Sequence, residues 1–273
     1  MPYKFSMLMV FFFLMSPTHA DDLTKVQLST AQQKEFDSLA QSFHIAACDS
    51  ISLEKSLEQK PPCRLAEYVA PFAKWLVSKG KTLDECVKDC GARCECMNSA
   101  RHFKIDLLDV PVAGDRHAPV SIVVYISAMC PLCKYLASEI YREVTTGALQ
   151  GKARLLAKPF TEGLGDRALV AAGHFNKYWD YIIALNNIKM RPDEPILLRV
   201  ADSLGMRKAA FNKLLADTSI MKKLVGFREE GEKNEVTVTP TFFIDGKRYR
   251  SYKDPQWVVD AALYEYEGLK PGR

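Results

Sequence analysis

In Val120-Ser121-Ile122-Val123-Val124-Tyr125-Ile126-Ser127-Ala128-Met129-Cys130-Pro131-Leu132-Cys133 an apolar run gives way to a pair of cysteines. The run, 120–126, has the pattern of a strand buried on both faces. A helical pattern follows at once, with Leu132, Leu136, Ile140 and Val144 at i, i+4, i+8 and i+12. Pro131 fits the first helical turn, and Gly147 is expected to end the helix in a left-handed C′ position. The first cysteine therefore lies where a strand hands over to a helix.

That placement has a chemical consequence. The thiolate is the reactive form of cysteine, and a helix N-terminus favours negative charge. Cys130 is placed to attack, and Cys133, one turn further on, to resolve the mixed disulfide. A lone C-x-x-C also fits a structural disulfide or half a zinc site. Its position between a buried strand and a helix favours redox chemistry.

The chain of 273 residues is long enough for one large domain or two ordinary ones, and its 48% hydrophobic and 26% charged composition is that of a globular protein. A net charge of +4, with basic residues spread along the chain, argues against dedicated nucleic-acid binding. Lys4, the apolar core 7–15 (MLMVFFFLM) and Ala20 before Asp21-Asp22 have a signal-peptide layout, with cleavage expected after Ala20. The core is too short for an ordinary membrane span, so residues 1–20 read as a targeting segment and the mature chain as exported, with no span of its own.

An exported chain with 8 cysteines belongs in an oxidising compartment. Cys48, Cys63, Cys86, Cys90, Cys94 and Cys96 precede residue 97 and mark residues 21–102 as a small helical module. Thr30 is expected to cap its first helix, and Pro61-Pro62 precedes a stronger one over 63–79, kinked at Pro71 and stopped at Gly80. Thr82-Leu83-Asp84-Glu85 opens a third helix by a capping box, expected to end at Gly91. Structural disulfides are the favoured reading of these cysteines, with Cys48–Cys63 the preferred pair and the other pairings open. A soft-metal thiolate site is the alternative, but C-x2-C spacing is absent and His102 is the only nearby imidazole.

In the remaining part, 103–273, Phe103-Lys104-Ile105-Asp106-Leu107-Leu108 alternates as an edge strand would. A second strand is expected over 153–158, giving a parallel strand–helix–strand unit. Five helices follow within about 160–232. Their aromatic residues read as core, and no G-x-G-x-x-G or P-loop appears among them. Thr241-Phe242-Phe243-Ile244, the two-residue turn Asp245-Gly246 and the return strand 247–251 form a hairpin. Asp254 and Pro255 open a closing helix.

Taken in order, Gly114-Asp115-x-x-Ala118-Pro119-Val120, Cys130-Pro131-Leu132-Cys133 and Thr239-Pro240-Thr241-Phe242-Phe243-Ile244-Asp245-Gly246-Lys247 resemble the DsbA/DsbG-like branch of the thioredoxin superfamily. The likeness spans about 106–268. It implies an α/β thioredoxin-like fold with a multi-helix insertion, preceded here by the cysteine-rich helical module. It implies a protein disulfide oxidoreductase without cofactor or metal, acting on protein substrates with a redox partner protein in the periplasm or an equivalent exported setting. Cys130 matches the nucleophile, Cys133 the resolving thiol, Pro240 the cis-proline, and Thr239 the residue whose backbone pairs with a substrate chain. The match departs from the family in two places: the strand before Cys130 carries no acid, and Pro131-Leu132 lacks the histidine of the strong oxidant. Direction of exchange therefore stays open. A disulfide isomerase or reductase, dimerised through the N-terminal module, is one alternative. A non-catalytic soft-metal or thiol assembly factor is the other.

Overall fold

The computed structural model describes residues 26–108, 110–188, 191–250 and 254–270; the expected cleavage site at Ala20 and the Ser251 end of the return strand lie outside them. Ser29, one residue earlier than expected, caps α1 (Thr30–Ser42). Its hydroxyl accepts the Gln32 N–H at 3.3 Å, while the Gln32 side chain accepts the Ser29 N–H at 3.0 Å. A hairpin of β1 (His44–Ile45) and β2 (Ile51–Ser52) follows, then α2 (Leu53–Glu58). Cys48 and Cys63 are joined across it by a disulfide, Cα–Cα 5.8 Å.

The next helix, α3 (Arg64–Ser78), runs on through Pro71 and ends before Gly80 at φ +72°. Its buried face is Leu65, Val69, Phe72 and Leu76. Thr82 and Glu85 form the expected capping box of α4 (Leu83–Met97). Gly91 does not end that helix. It has no left-handed φ, and a mid-helix glycine costs only about 1 kcal/mol, which burial of Cys90, Arg93 and Met97 can offset.

Beyond Cys48–Cys63 the structure joins no further pair among these cysteines. Cys86, Cys90, Cys94 and Cys96 all lie on this one helix and are unpaired. Helices α1 and α3, packed beside α4, offer no cysteine opposite them.

The main sheet has the order β3-β5-β4-β6-β7. It begins with β3 (Ala113–Gly114), antiparallel to β5, and not with the expected strand at 103–108. That segment is a strap without a ladder, its Phe103 N–H bonded to Gly246 O at 2.7 Å and its Asp106 N–H to the Glu230 carboxylate at 2.6 Å. At the sheet centre β4 (Val120–Ile126) leads through α5 (Pro131–Thr145) to β5 (Ala153–Pro159), which it pairs in parallel from Val120↔Ala153 to Ile126↔Pro159. Leu136, Ile140 and Val144 of α5 are buried as the pattern requires, whereas Leu132 is exposed. Gly147 is not left-handed: α5 stops at Thr146, and Gly147 leaves room for Glu143, whose carboxylate accepts the Ala148 N–H at 2.9 Å.

The insertion between β5 and the last hairpin is α6 (Leu164–Gly173), α7 (Tyr178–Asn186), α8 (Glu194–Ser203), α9 (Lys208–Leu215) and α10 (Thr218–Lys233). Helix α7 packs on α5, and α10 on β5 and α6. Then β6 (Thr241–Ile244) pairs antiparallel with β4, Tyr125 opposite Thr241, and turns into β7 (Lys247–Tyr249). Both turn residues have positive φ, Asp245 at +47° and Gly246 at +77°, as a type I′ turn demands. Asp254 caps α11 (Pro255–Gly268), with Pro255 in its first turn.

Residues 26–98 and the sheet share one core. Phe72 and Trp75 of α3 each meet the Trp257 ring of α11 edge-on at 4.9 Å. The edge strand β7 is covered by α4, where Lys247 Nζ reaches Met97 O at 3.3 Å and the Arg250 N–H reaches Cys96 Sγ at 3.4 Å. Arg93 of α4 is fully buried: it donates to the Tyr249 hydroxyl at 2.8 Å and to Asp260 at 3.1 Å, and it lies over the Phe72 ring.

Candidate active site

The loop between β4 and α5 sets the two sulfurs. Cys130 is the N-cap of α5, extended at φ −85° and ψ 119°, and its Sγ accepts the Cys133 N–H at 3.4 Å. Pro131 sits in the first turn, where no partner for an N–H is needed. The Cys130 N–H is donated back to Ser127 O at 3.0 Å, which closes the loop tightly. Cys130 is half-buried and Cys133 wholly buried behind it. Burial pushes the Cys133 thiol up strongly, and the neighbouring Cys130 sulfur adds to this. Hydrogen bonds from the Ser127 backbone and the Thr239 side chain pull the other way.

Thr239 and Pro240 come to the same place from the end of the insertion. The Thr239–Pro240 bond is cis, and β6 begins at the next residue beside Tyr125 of β4. The Thr239 side chain works against the rise of the Cys133 thiol, which puts the two loops side by side at the buried sulfur. Around them Leu132, Tyr135 and Val238 are exposed apolar side chains, Val238 at 55%. The geometry therefore presents one accessible sulfur at a helix N-terminus, a second sulfur sealed beneath it, and an extended segment alongside.

Several polar residues near this loop carried no signal in the sequence. Asp166, in the first turn of α6, is buried and accepts the Ala128 N–H at 2.6 Å and the Thr161 hydroxyl. Desolvation raises its carboxyl to about 6 against those hydrogen bonds. Lys134 follows Cys133, and its ammonium is buried against Leu185 O at 2.9 Å at the end of α7. Desolvation lowers its pKa, while the Cys130 sulfur opposes that shift. The strand itself holds no acid. A carboxylate arrives instead from α10, where Glu230 takes the buried Lys158 at 2.6 Å and the Tyr125 hydroxyl at 3.0 Å. An acid in an early helical turn or a lysine after a cysteine reads as surface until the packing helix is known.

The N-terminal cysteines lie apart from this site on α4. Burial pushes the Cys86 and Cys94 thiols up to about 11, and it raises those of Cys90 and Cys96 as well. Among the described residues no group of three or more His, Cys, Asp or Glu is gathered as a metal would require.

The family model described as Thioredoxin matches residues 108–261, more than half of the chain, including Cys130, Cys133, Thr239 and Pro240. The chain belongs to the thioredoxin family. Among solved structures, BdbD of Bacillus subtilis is similar to this thioredoxin-family chain at 19% identity and a TM-score of 0.53, covering 63% of this chain and 100% of that one. A thioredoxin-like oxidoreductase of Silicibacter pomeroyi gives 20% and 0.52, covering 59% and 94%. The thiol-disulfide exchange protein alpha-DsbA2 of Wolbachia pipientis gives 17% and 0.51, covering 67% and 98%. At these identities the likeness is one of fold, the DsbA-like thioredoxin fold with its helical insertion.

Two curated relatives match in sequence, both from Salinispora. Na(+)/H(+) antiporter NhaA 3 of S. tropica is 27% identical over 145 residues, and NhaA 1 of S. arenicola is 28% identical over 166. The chain spans 22% and 25% of their lengths, with 50% and 58% of its own residues covered. Among its described residues no helix is long and apolar enough to cross a membrane.

Proposed function

We propose that this chain is an exported protein thiol–disulfide oxidoreductase working through Cys130-Pro131-Leu132-Cys133. The observation that carries the reading is the pair of sulfurs at the α5 N-terminus, Cys130 Sγ accepting the Cys133 N–H, with the cis Thr239–Pro240 segment beside them. In the oxidised protein a substrate thiolate attacks Cys130 Sγ. The Cys130–Cys133 bond breaks, and Cys133 leaves with the electron pair and takes a proton. A second substrate thiolate then attacks the substrate sulfur of the mixed disulfide and releases Cys130. The substrate dithiol is oxidised and the protein disulfide reduced. Run backwards, the same steps reduce a substrate disulfide or let it rearrange.

Thr239 supplies backbone for an extended substrate segment beside the sulfurs, in the manner of strand addition, and Pro240 shapes that segment. The thiol-disulfide exchange named for the Wolbachia protein supports the reading, as does the oxidoreductase named for Silicibacter. Export rests on the signal-peptide pattern of residues 1–20. The N-terminal module, 21–102, acts as a structural buttress of the 103–273 domain, with Cys48–Cys63 its disulfide.

The test pairs each cysteine variant with a scrambled protein substrate and a glutathione buffer. Wild type is expected to exchange disulfides with both. Cys130→Ser is expected to be inert, and Cys133→Ser to accumulate a mixed disulfide visible on a non-reducing gel. Exchange that survives Cys130→Ser overturns the assignment. The balance between oxidation and rearrangement in the same assay shows which exchange the protein favours at that buffer potential.

A further inference from the structure

The loop that carries Cys130 is held from below by a residue outside the C-P-L-C motif. Asp166 Oδ1 accepts the Ala128 N–H at 2.6 Å, and Oδ2 accepts the Thr161 hydroxyl. Gly165 lies so close that a Cβ there would meet Met129 Sδ and, at 3.5 Å, the Ala128 Cβ. Ala128 is itself 1% exposed. Ser127, next in the loop, accepts the Cys130 N–H through its backbone carbonyl at 3.0 Å. A short polar chain thus runs from a carboxylate on the insertion helix through the loop backbone to Cys130, whose sulfur accepts the Cys133 N–H.

We propose that Asp166 is a positioning residue for the dithiol: by gripping the Ala128 amide it fixes the 127–129 loop, and so holds Cys130 and Cys133 in the arrangement that closes the disulfide. This rests on the exchange reading above. Ring closure within one chain depends on how narrowly the two sulfurs are confined, because a loosened loop lowers their effective concentration. An amide bonded to a buried carboxylate is held more strongly than one bonded to a neutral group. The grip is therefore strongest when Asp166 is ionised, and it slackens as the pH falls through about 6.

The groups around Asp166 leave that titration to it. Tyr178 of α7 stands beside it with its hydroxyl committed to Ala157 O, and its own ionisation lies far above neutrality because of burial. Arg167 is turned to Glu162 O, and Glu162 pairs with Arg228 of α10 at 2.7 Å. Lys158 of β5 is taken by Glu230 of α10. Glu194, Arg199 and Asp202 of α8, and Lys208 and Lys213 of α9, are exposed.

The experiment equilibrates the full chain with oxidised and reduced glutathione between pH 5 and 8. Protein dithiol plus one oxidised glutathione gives protein disulfide plus two reduced glutathiones, so the closure constant is read directly. Asp166→Ala is expected to lower it about tenfold at pH 7.5, the effect of about 1.4 kcal/mol, and to speed exchange of the Ala128 amide by a similar factor. Asp166→Asn keeps an acceptor but cannot ionise. Its closure constant is expected to match wild type at pH 5 and to lack the several-fold rise that wild type gains through about pH 6. If Asp166→Ala does not fold, the comparison of Asp166→Asn with wild type carries the test. Variants that close as wild type does at every pH overturn the positioning role alone. A wild-type dithiol that fails to close overturns the exchange reading and the role together.

Discussion

Replacing Arg93 by methionine is expected to cost about 3 kcal/mol and to loosen the whole molecule. Methionine keeps the stem's volume but removes every hydrogen bond of the guanidinium. The Tyr249 hydroxyl and Trp257 O lose their donor, and Asp260 loses the cation at 3.1 Å. Breaking a buried ion pair by removing one partner typically costs 3–5 kcal/mol. The lower end applies here because the Asp260 side chain is 14% exposed and keeps Gln256 Nε2 on its other oxygen at 2.9 Å. For a chain of this size that loss lowers Tm by roughly 6–12 °C. Urea melts followed by both tryptophan fluorescence and circular dichroism provide the assay. Since α4 shares one core with α11, the two probes are expected to shift together. Adding Asp260→Leu is expected to recover part of the loss, because an apolar replacement of a whole buried pair is often neutral. A single variant within about 1 kcal/mol of wild type refutes the reasoning, as does a fluorescence transition that separates from the rest.

Three further outcomes follow from particular residues. Asp166 has a folded-state pKa raised from 3.8 to about 6, so its contribution to stability falls as pH rises through that window and stays low above it. The stability of Asp166→Asn relative to wild type is expected to grow by about 2 kcal/mol between pH 4 and pH 7; a flat difference in urea melts contradicts it. Reducing Cys48–Cys63, whose partners are 15 residues apart, is expected to cost about 3 kcal/mol, read as a drop in Tm for Cys48→Ser/Cys63→Ser, and an unchanged Tm refutes it. Gly246→Ala puts a Cβ 2.8 Å from Phe103 O at φ +77°, so a loss of about 1–3 kcal/mol is expected in the same melts; no loss would show that the strap is free to move aside.

Most of the frame was legible because its causes are local. The apolar run at 120–126, the capping box at Thr82, the Asp245-Gly246 turn and the cap at Asp254 each act within a few residues, and each appears as read. The errors share a different character. Gly91 looks like a stop, but tertiary burial on either side carries the helix past it, and that carried four cysteines onto one element. The alternation at 103–108 is real, yet the edge of the sheet was taken by β3 and left that segment as a strap. Leu132 fits the apolar period of α5 but falls at its exposed start, next to Cys130. Thr239 and Pro240 could be assigned only through the family resemblance. Asp166 could not be assigned at all, because its burial is made by a loop 38 positions away.

The unpaired thiols of α4 have a consequence for the company they keep. A thiol raised to about 11, as in Cys86 and Cys94, is ionised to roughly one part in ten thousand at neutral pH, against a few per cent for an ordinary cysteine. Attack on a disulfide needs the ionised form. These sulfurs can therefore share a chain with the proposed exchange dithiol and be slower than it to react. Burial thus holds them in the unreactive protonated form and sets them apart from the accessible Cys130.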